Sequence, residues 1–121
     1  MRGTLTLGSM VGYSGKKVFT IKDIAKAIDE VNVCRTAKSQ ETIPCMVSES
    51  LLIGRTGDAK YEETVFNLEF SISPRRPSMG KAKFYQVLLE YADSLGARLE
   101  QTRVYVEFKD ETTVLKMKLR K

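Results

Sequence analysis

Thr64-Val-Phe-Asn-Leu-Glu-Phe-Ser-Ile72 decides the fold. Phe66, Leu68, Phe70 and Ile72 point one way; Val65, Asn67, Glu69 and Ser71 point the other. That period of two marks a strand with one buried face. An apolar strand face has to be covered, and helices on one side of a sheet are the usual cover. Pro74-Arg-Arg-Pro77 stops the strand. Ser78 is a candidate cap for a following helix, in which Phe84, Leu88, Tyr91 or Ala92, and Leu95 recur at helical spacing. Gly96 is read as the residue that ends this helix in the left-handed region.

Working outward, Val104, Val106 and Phe108 alternate within Arg103–Lys109, and Leu115, Met117 and Leu119 alternate within Thr113–Leu119, with Asp110-Glu111 as the turn between them. Upstream, Thr4–Met10 reads as a strand, and 11–17 as a Gly/Ser loop. A first helix starts after Thr20, where Asp23 supplies the acid of a capping box and Phe19 and Ile24 a hydrophobic staple. Its apolar face is Ile21, Ile24, Ile28 and Val31. It is expected to end near Asn32 or Cys34, with 35–42 as a polar loop. Ile43–Ile53 reads as a strand with Pro44 near its start, and Gly54-Arg-Thr-Gly-Asp58 as the turn into the next. The order is β-α-β-β-α-β-β. This is an α+β domain over 1–121, with a four- to five-stranded sheet and two helices on one face.

The chain has 121 residues, enough to bury a real core without staples. Lys and Arg exceed Asp and Glu by 20 to 15, a net charge of +5 that favours weak attraction to anions. No apolar run approaches the ~20 residues that span a bilayer, and no signal peptide is apparent, so a cytoplasmic protein with no membrane partner is expected. Cys34 and Cys45 are read as two reduced thiols. The chain contains no histidine, which removes the Ser-His-Asp and Cys-His arrangements and imidazole metal sites. Neither a metal nor any other cofactor is expected.

The β-α-β-β-α-β order suits a ferredoxin-like sheet or the tautomerase superfamily, the group of macrophage migration inhibitory factor and the hydroxymuconate isomerases. From the third strand onward the chain resembles the latter. The resemblance rests on Tyr85 and Leu88-Leu89 in the second helix, Arg103-Val-Tyr-Val-Glu-Phe108 with Asp110 after it, and the length of the Met46–Ile72 hairpin. It covers about half the chain. It implies a tautomerase-like fold, ahead of the ferredoxin-like one, and a homo-oligomer, with a trimer favoured. The superfamily works through an amino-terminal proline. This chain begins Met1-Arg2-Gly3, so no catalytic residue is carried over and proline-dependent catalysis is not expected.

Several candidate sites each allow two readings. Arg75 and Arg76, with Lys81 and Arg103, form a candidate anion-binding set at a helix start, or a solvated turn. Lys116, Lys118 and Arg120 share one strand face and suit nucleic-acid phosphates, or else blunt an edge strand. Gly54–Asp58 lacks the ending of a phosphate-binding loop and is read as a hairpin. Phe66 and Phe70 are read as core ahead of a base-stacking platform. Glu49 is a candidate base, or a solvated or cross-strand-paired acid. The two thiols are read as inert. The leading expectation is a small oligomeric protein without proline-dependent catalysis that binds an anionic small molecule or a protein partner. A basic nucleic-acid-binding module is the alternative, and an enzyme using Glu49, Tyr105 or arginines at a subunit boundary is a third reading.

Overall fold

A computed structural model describes residues 2–9, 19–72, 79–108 and 111–116, the side chains of 111–115 excepted. The elements are β1 (Arg2–Gly8), α1 (Ile21–Ala37), β2 (Cys45–Thr56), β3 (Ala59–Ser71), α2 (Lys81–Arg98), β4 (Arg103–Phe108) and β5 (Glu111–Lys116). The five strands form one sheet in the order β2-β3-β1-β4-β5, every neighbour antiparallel. The strand leading into each helix is thus separated from the strand after it by another strand. This is the split β-α-β interleaving of a ferredoxin-like sheet, extended by β5. The α+β class, the element order and the two helices are those the sequence predicts.

Both helices cover one face. Phe66, Leu68 and Phe70 are fully buried with Leu5 and Leu7 of β1 and Val104 and Val106 of β4. Ile24 and Val31 of α1 and Phe84, Leu88 and Leu95 of α2 close the cluster. Each such side chain contributes roughly 1.5–3 kcal/mol by leaving water. Gly3 lets α2 approach β1, because a Cβ there would stand 2.5 Å from Leu88 Cδ2.

The capping box of α1 is present: Asp23 N–H donates to Thr20 Oγ1 at 3.3 Å, and Thr20 N–H donates to Asp23 Oδ2 at 2.7 Å. Phe19 and Ile24 are buried in the same cluster, as the staple requires. The helix continues past the expected end, through Cys34 and Arg35 to Ala37. It stops where Ser39 takes φ 55. There Gln40 N–H donates to Arg35 O at 2.8 Å and Ser39 N–H to Thr36 O at 3.1 Å. Likewise α2 runs through Gly96 to Arg98, so Gly96 is a buried interior residue and not the terminator. Glu100, at φ 51, takes that role. Gln101 N–H donates to Gly96 O at 2.9 Å, which with Glu100 completes the same Schellman geometry. The N-cap of α2 is Gly80, and Ser78 lies outside the described residues, as does Pro74–Pro77.

The hairpin also differs in detail. Strand pairing runs unbroken from Cys45↔Phe70 to Thr56↔Ala59, so Gly54 and Arg55 belong to β2 and only Gly57-Asp58 turn. Gly57, at φ 60, supplies the left-handed residue. Gly54 stays in the strand because the Tyr61 ring lies over it, in the place a side chain would take. Glu111 pairs with Phe108 as the first residue of β5, not as part of the turn. Met10, Met117 and Leu119 lie outside the described residues. Among the described residues no helix is long and apolar enough to cross a membrane.

Candidate functional site

Two regions gather polar side chains. The first lies on the helix layer, between the end of α1 and the middle of α2, along a groove of about 330 Å³ whose walls include Cys34, Arg35, Lys38, Asp93 and Arg98. Arg35 is buried there, and two of its three guanidinium nitrogens have partners. Nη1 meets Glu90 Oε1 at 2.9 Å, Nε donates to Glu41 O at 2.6 Å, and the guanidinium sits 5.0 Å from the Tyr91 ring centre. The Arg35 hydrogen bond holds the Glu90 carboxyl below the usual carboxylate range, against a smaller opposing effect of burial. Tyr91 Oη donates to Asn32 Oδ1 at 2.5 Å and accepts from Ile43 N–H at 3.1 Å, and burial pushes its phenol up. This network ties α1, α2 and the segment before β2 together. Its hydrogen-bonding capacity goes to the fold.

The second region is the sheet face that no helix covers. Alternation sends Arg2, Thr4 and Thr6 of β1 to that face, with Asn67 and Glu69 of β3 and Arg103, Tyr105 and Glu107 of β4. Strand register arranges them in rows. Thr4 lies between Glu69 and Glu107 in one row, with Met46 beyond Glu69. The two carboxylate-bearing residues are therefore two strand spacings apart, about 10 Å at Cα. In the next row Thr6 lies between Asn67 and Tyr105. Thr6 Oγ1 donates to Asn67 Oδ1 at 3.2 Å, and Asn67 Nδ2 donates to Ser50 Oγ at 2.9 Å, which orients the amide. Arg2 Nε reaches Glu69 Oε1 at 2.9 Å, and both side chains remain substantially exposed. Tyr105 is 43% exposed, and Val114 of β5 is next in this row. The face thus offers two acids, two guanidiniums, hydroxyls, an amide and an aromatic ring, all on strands.

Of the basic residues singled out from sequence, Lys81 opens α2 and Arg103 opens β4. The 18-residue helix between them spans about 27 Å, so the structure does not bring these two together. Arg75 and Arg76 lie outside the described residues. Arg103 instead has Lys116 directly across the β4–β5 ladder, both exposed. Lys118 and Arg120 lie outside the described residues. Glu49 stands opposite Phe66, exposed and with no ion pair among the described residues, so no cross-strand Arg or Lys holds it. Burial, with a smaller effect of Glu69, pushes the Cys45 thiol up to about 12, which keeps it protonated and unreactive at neutral pH. Cys34 is exposed, with Arg98 Nη2 3.4 Å from its sulfur. Among the described residues no group of three or more acidic or cysteine side chains is placed to hold a metal ion.

No family model and no curated protein sequence matches the chain. Two solved structures resemble it over almost its whole length. One is a phage SAM lyase in its apo state, with a TM-score of 0.71 at 15% identity, covering 99% of this chain and 91% of that one. The other is a phage SAM lyase in complex with S-methyl-5′-thioadenosine, with a TM-score of 0.63 at 11% identity, covering 99% and 92%.

Proposed function

We propose that this chain binds S-adenosylmethionine on the open face of its sheet and cleaves it, releasing methylthioadenosine. The observation that carries this reading is the end-to-end likeness to the two SAM lyase structures, in which neither chain has a large segment without a counterpart. The chemistry of the face supports it. S-adenosylmethionine carries a sulfonium and an ammonium, a carboxylate, a ribose and an adenine. Glu69 and Glu107 flank the cationic sulfur and the amine, where carboxylates stabilise positive charge. Arg2, one row further along β1 and ion-paired with Glu69 before substrate binds, turns from Glu69 to the substrate carboxylate. Tyr105 lies under the adenine, and Thr6 and Asn67 serve the ribose hydroxyls.

The bond bookkeeping suits a chain without histidine. When the bond between sulfur and the aminobutyryl γ-carbon breaks, its electron pair goes to a positively charged sulfur, which departs as a neutral thioether. No acid has to protonate it. The substrate's own carboxylate can close on the γ-carbon, so no base is needed either. What the protein must supply is orientation and a field, and rigid strands are suited to both. This reading adds a reaction to the expected small-molecule binding, and the reaction needs neither an amino-terminal proline nor an imidazole.

Titration calorimetry with S-adenosylmethionine and with methylthioadenosine tests the placement. The sulfonium substrate carries charge that the thioether lacks. Glu69→Gln and Glu107→Gln are therefore expected to weaken binding of the substrate about ten-fold or more while changing that of the thioether little. Equal loss for both ligands, or no binding of either by the unaltered protein, contradicts the assignment.

A further inference from the structure

The strand β2 is an edge of the sheet and carries few of the devices that keep edges from pairing. Its 12 residues contain no proline or lysine, and its ladder to β3 has no bulge. Among the described residues, ladder pairing with β1 ends at Gly8↔Val65, with Ser9 N–H donating to Thr64 O at 3.1 Å, and beyond it 51–63 pair as a two-stranded arm. Leu51, Leu52 and Ile53 in that arm are 58%, 48% and 58% exposed. A two-stranded ribbon is marginal in water by itself, and three consecutive exposed apolar residues on an open edge favour a third strand.

The charges say which strand fits. Arg55 faces Lys60 across the ladder, a like-charge pair, and Lys60 Nζ is already 2.8 Å from Glu62. Neither Arg55 nor Glu49 has an ion-pair partner among the described residues. Residues 49 and 55 are equidistant from Leu52 and on the same face of the strand. An antiparallel copy of β2 centred on Leu52 thus sets Glu49 opposite Arg55 of the partner subunit and Arg55 opposite Glu49 of the partner subunit. The same register sets Leu51 against Ile53 of the partner subunit and Leu52 against Leu52 of the partner subunit. A shift by one residue in either chain loses both charge matches and sets odd positions against even ones.

We propose that two copies of this chain pair edge to edge along β2, about a two-fold axis at Leu52, into one continuous sheet. The contact is isologous and closes on itself. The body of each copy lies beside 45–50, away from the axis, so the arms carry the contact. This two-fold pair takes the place of the trimer that the tautomerase resemblance implies. It stands apart from the reading of the open face, since it concerns an edge and is measured without substrate.

Solution mass by light scattering over a range of concentrations, with charge-reversal variants, tests it. The unaltered chain is expected to be a dimer. Glu49→Arg alone or Arg55→Glu alone turns two attractions into two repulsions per dimer, and each should weaken association about ten-fold. The double exchange, Glu49→Arg with Arg55→Glu, restores opposite charges and should recover the dimer. Both positions are exposed, and circular dichroism confirms that the variants are folded. A monomer at every concentration, a trimer, or a dimer indifferent to the single reversals overturns the proposal, as does a double exchange no better than the singles.

Discussion

Among the described residues, Ser39 and Glu100 are the non-glycine residues whose backbone conformations are least suited to a side chain. Both sit in the left-handed region, at φ 55 and φ 51, where a helix-ending residue is usually glycine. An L side chain there costs roughly 1–2 kcal/mol in crowding, part of which glycine forfeits in unfolded-chain entropy. Glu100→Gly is therefore expected to raise stability by about 0.5–1 kcal/mol, read as a higher urea midpoint at unchanged slope. A lower midpoint would mean that the Glu100 side chain contributes a contact worth more than its strain. The same two residues explain why both helix ends were misplaced from sequence. The reading looked for glycine and polarity, whereas α1 continues through Arg35, a cation made burial-compatible by Glu90 and Tyr91 from another element. At the candidate site, the outward position of Glu69 was legible from strand alternation. That Thr4 separates it from Glu107 was not, because this depends on which strands are neighbours.

At the level of elements, period-two alternation in β3, β1 and β4 and the apolar stripe of α2 were enough to place the core, since a half-buried strand and an amphipathic helix have distinct periods. The β2–β3 ladder was shortened in that reading because Gly54–Asp58 has turn composition. Nothing local to those residues reveals that the Tyr61 ring occupies the space over Gly54 and lets the strand continue. The tautomerase resemblance rests on residues of α2 and β4, on Asp110 and on the length of the Met46–Ile72 hairpin, all of them local features, whereas strand order is a long-range property. The packing of α2 on β1 makes its own prediction. Gly3→Ala places a Cβ 2.5 Å from Leu88 Cδ2 and 3.3 Å from Phe84 Cε1, both in fully buried side chains. Repacking there should cost about 1–3 kcal/mol of unfolding free energy. An unchanged urea midpoint for Gly3→Ala would show that α2 does not depend on close approach at Gly3.

For the whole molecule, one sheet serves three purposes. Its helix-covered face holds the core, its open face presents paired acids beside an aromatic residue and a guanidinium, and its long edge and projecting arm are left for assembly. The net charge of +5 draws anions in general, but the open face mixes signs, with Glu69 ion-paired to Arg2, Glu107 across Thr4, and Arg103 toward the other end. A nucleic-acid role would rest on the Arg103–Lys116 end of that face, with the acidic row toward its other end. The measurement that bears most directly on the account is chromatographic detection of methylthioadenosine after purified protein is incubated with S-adenosylmethionine, compared with buffer alone. The account predicts release well above the buffer rate, lost in Glu69→Gln with Glu107→Gln combined. Release no faster than in buffer, from folded protein with substrate in excess, would contradict it.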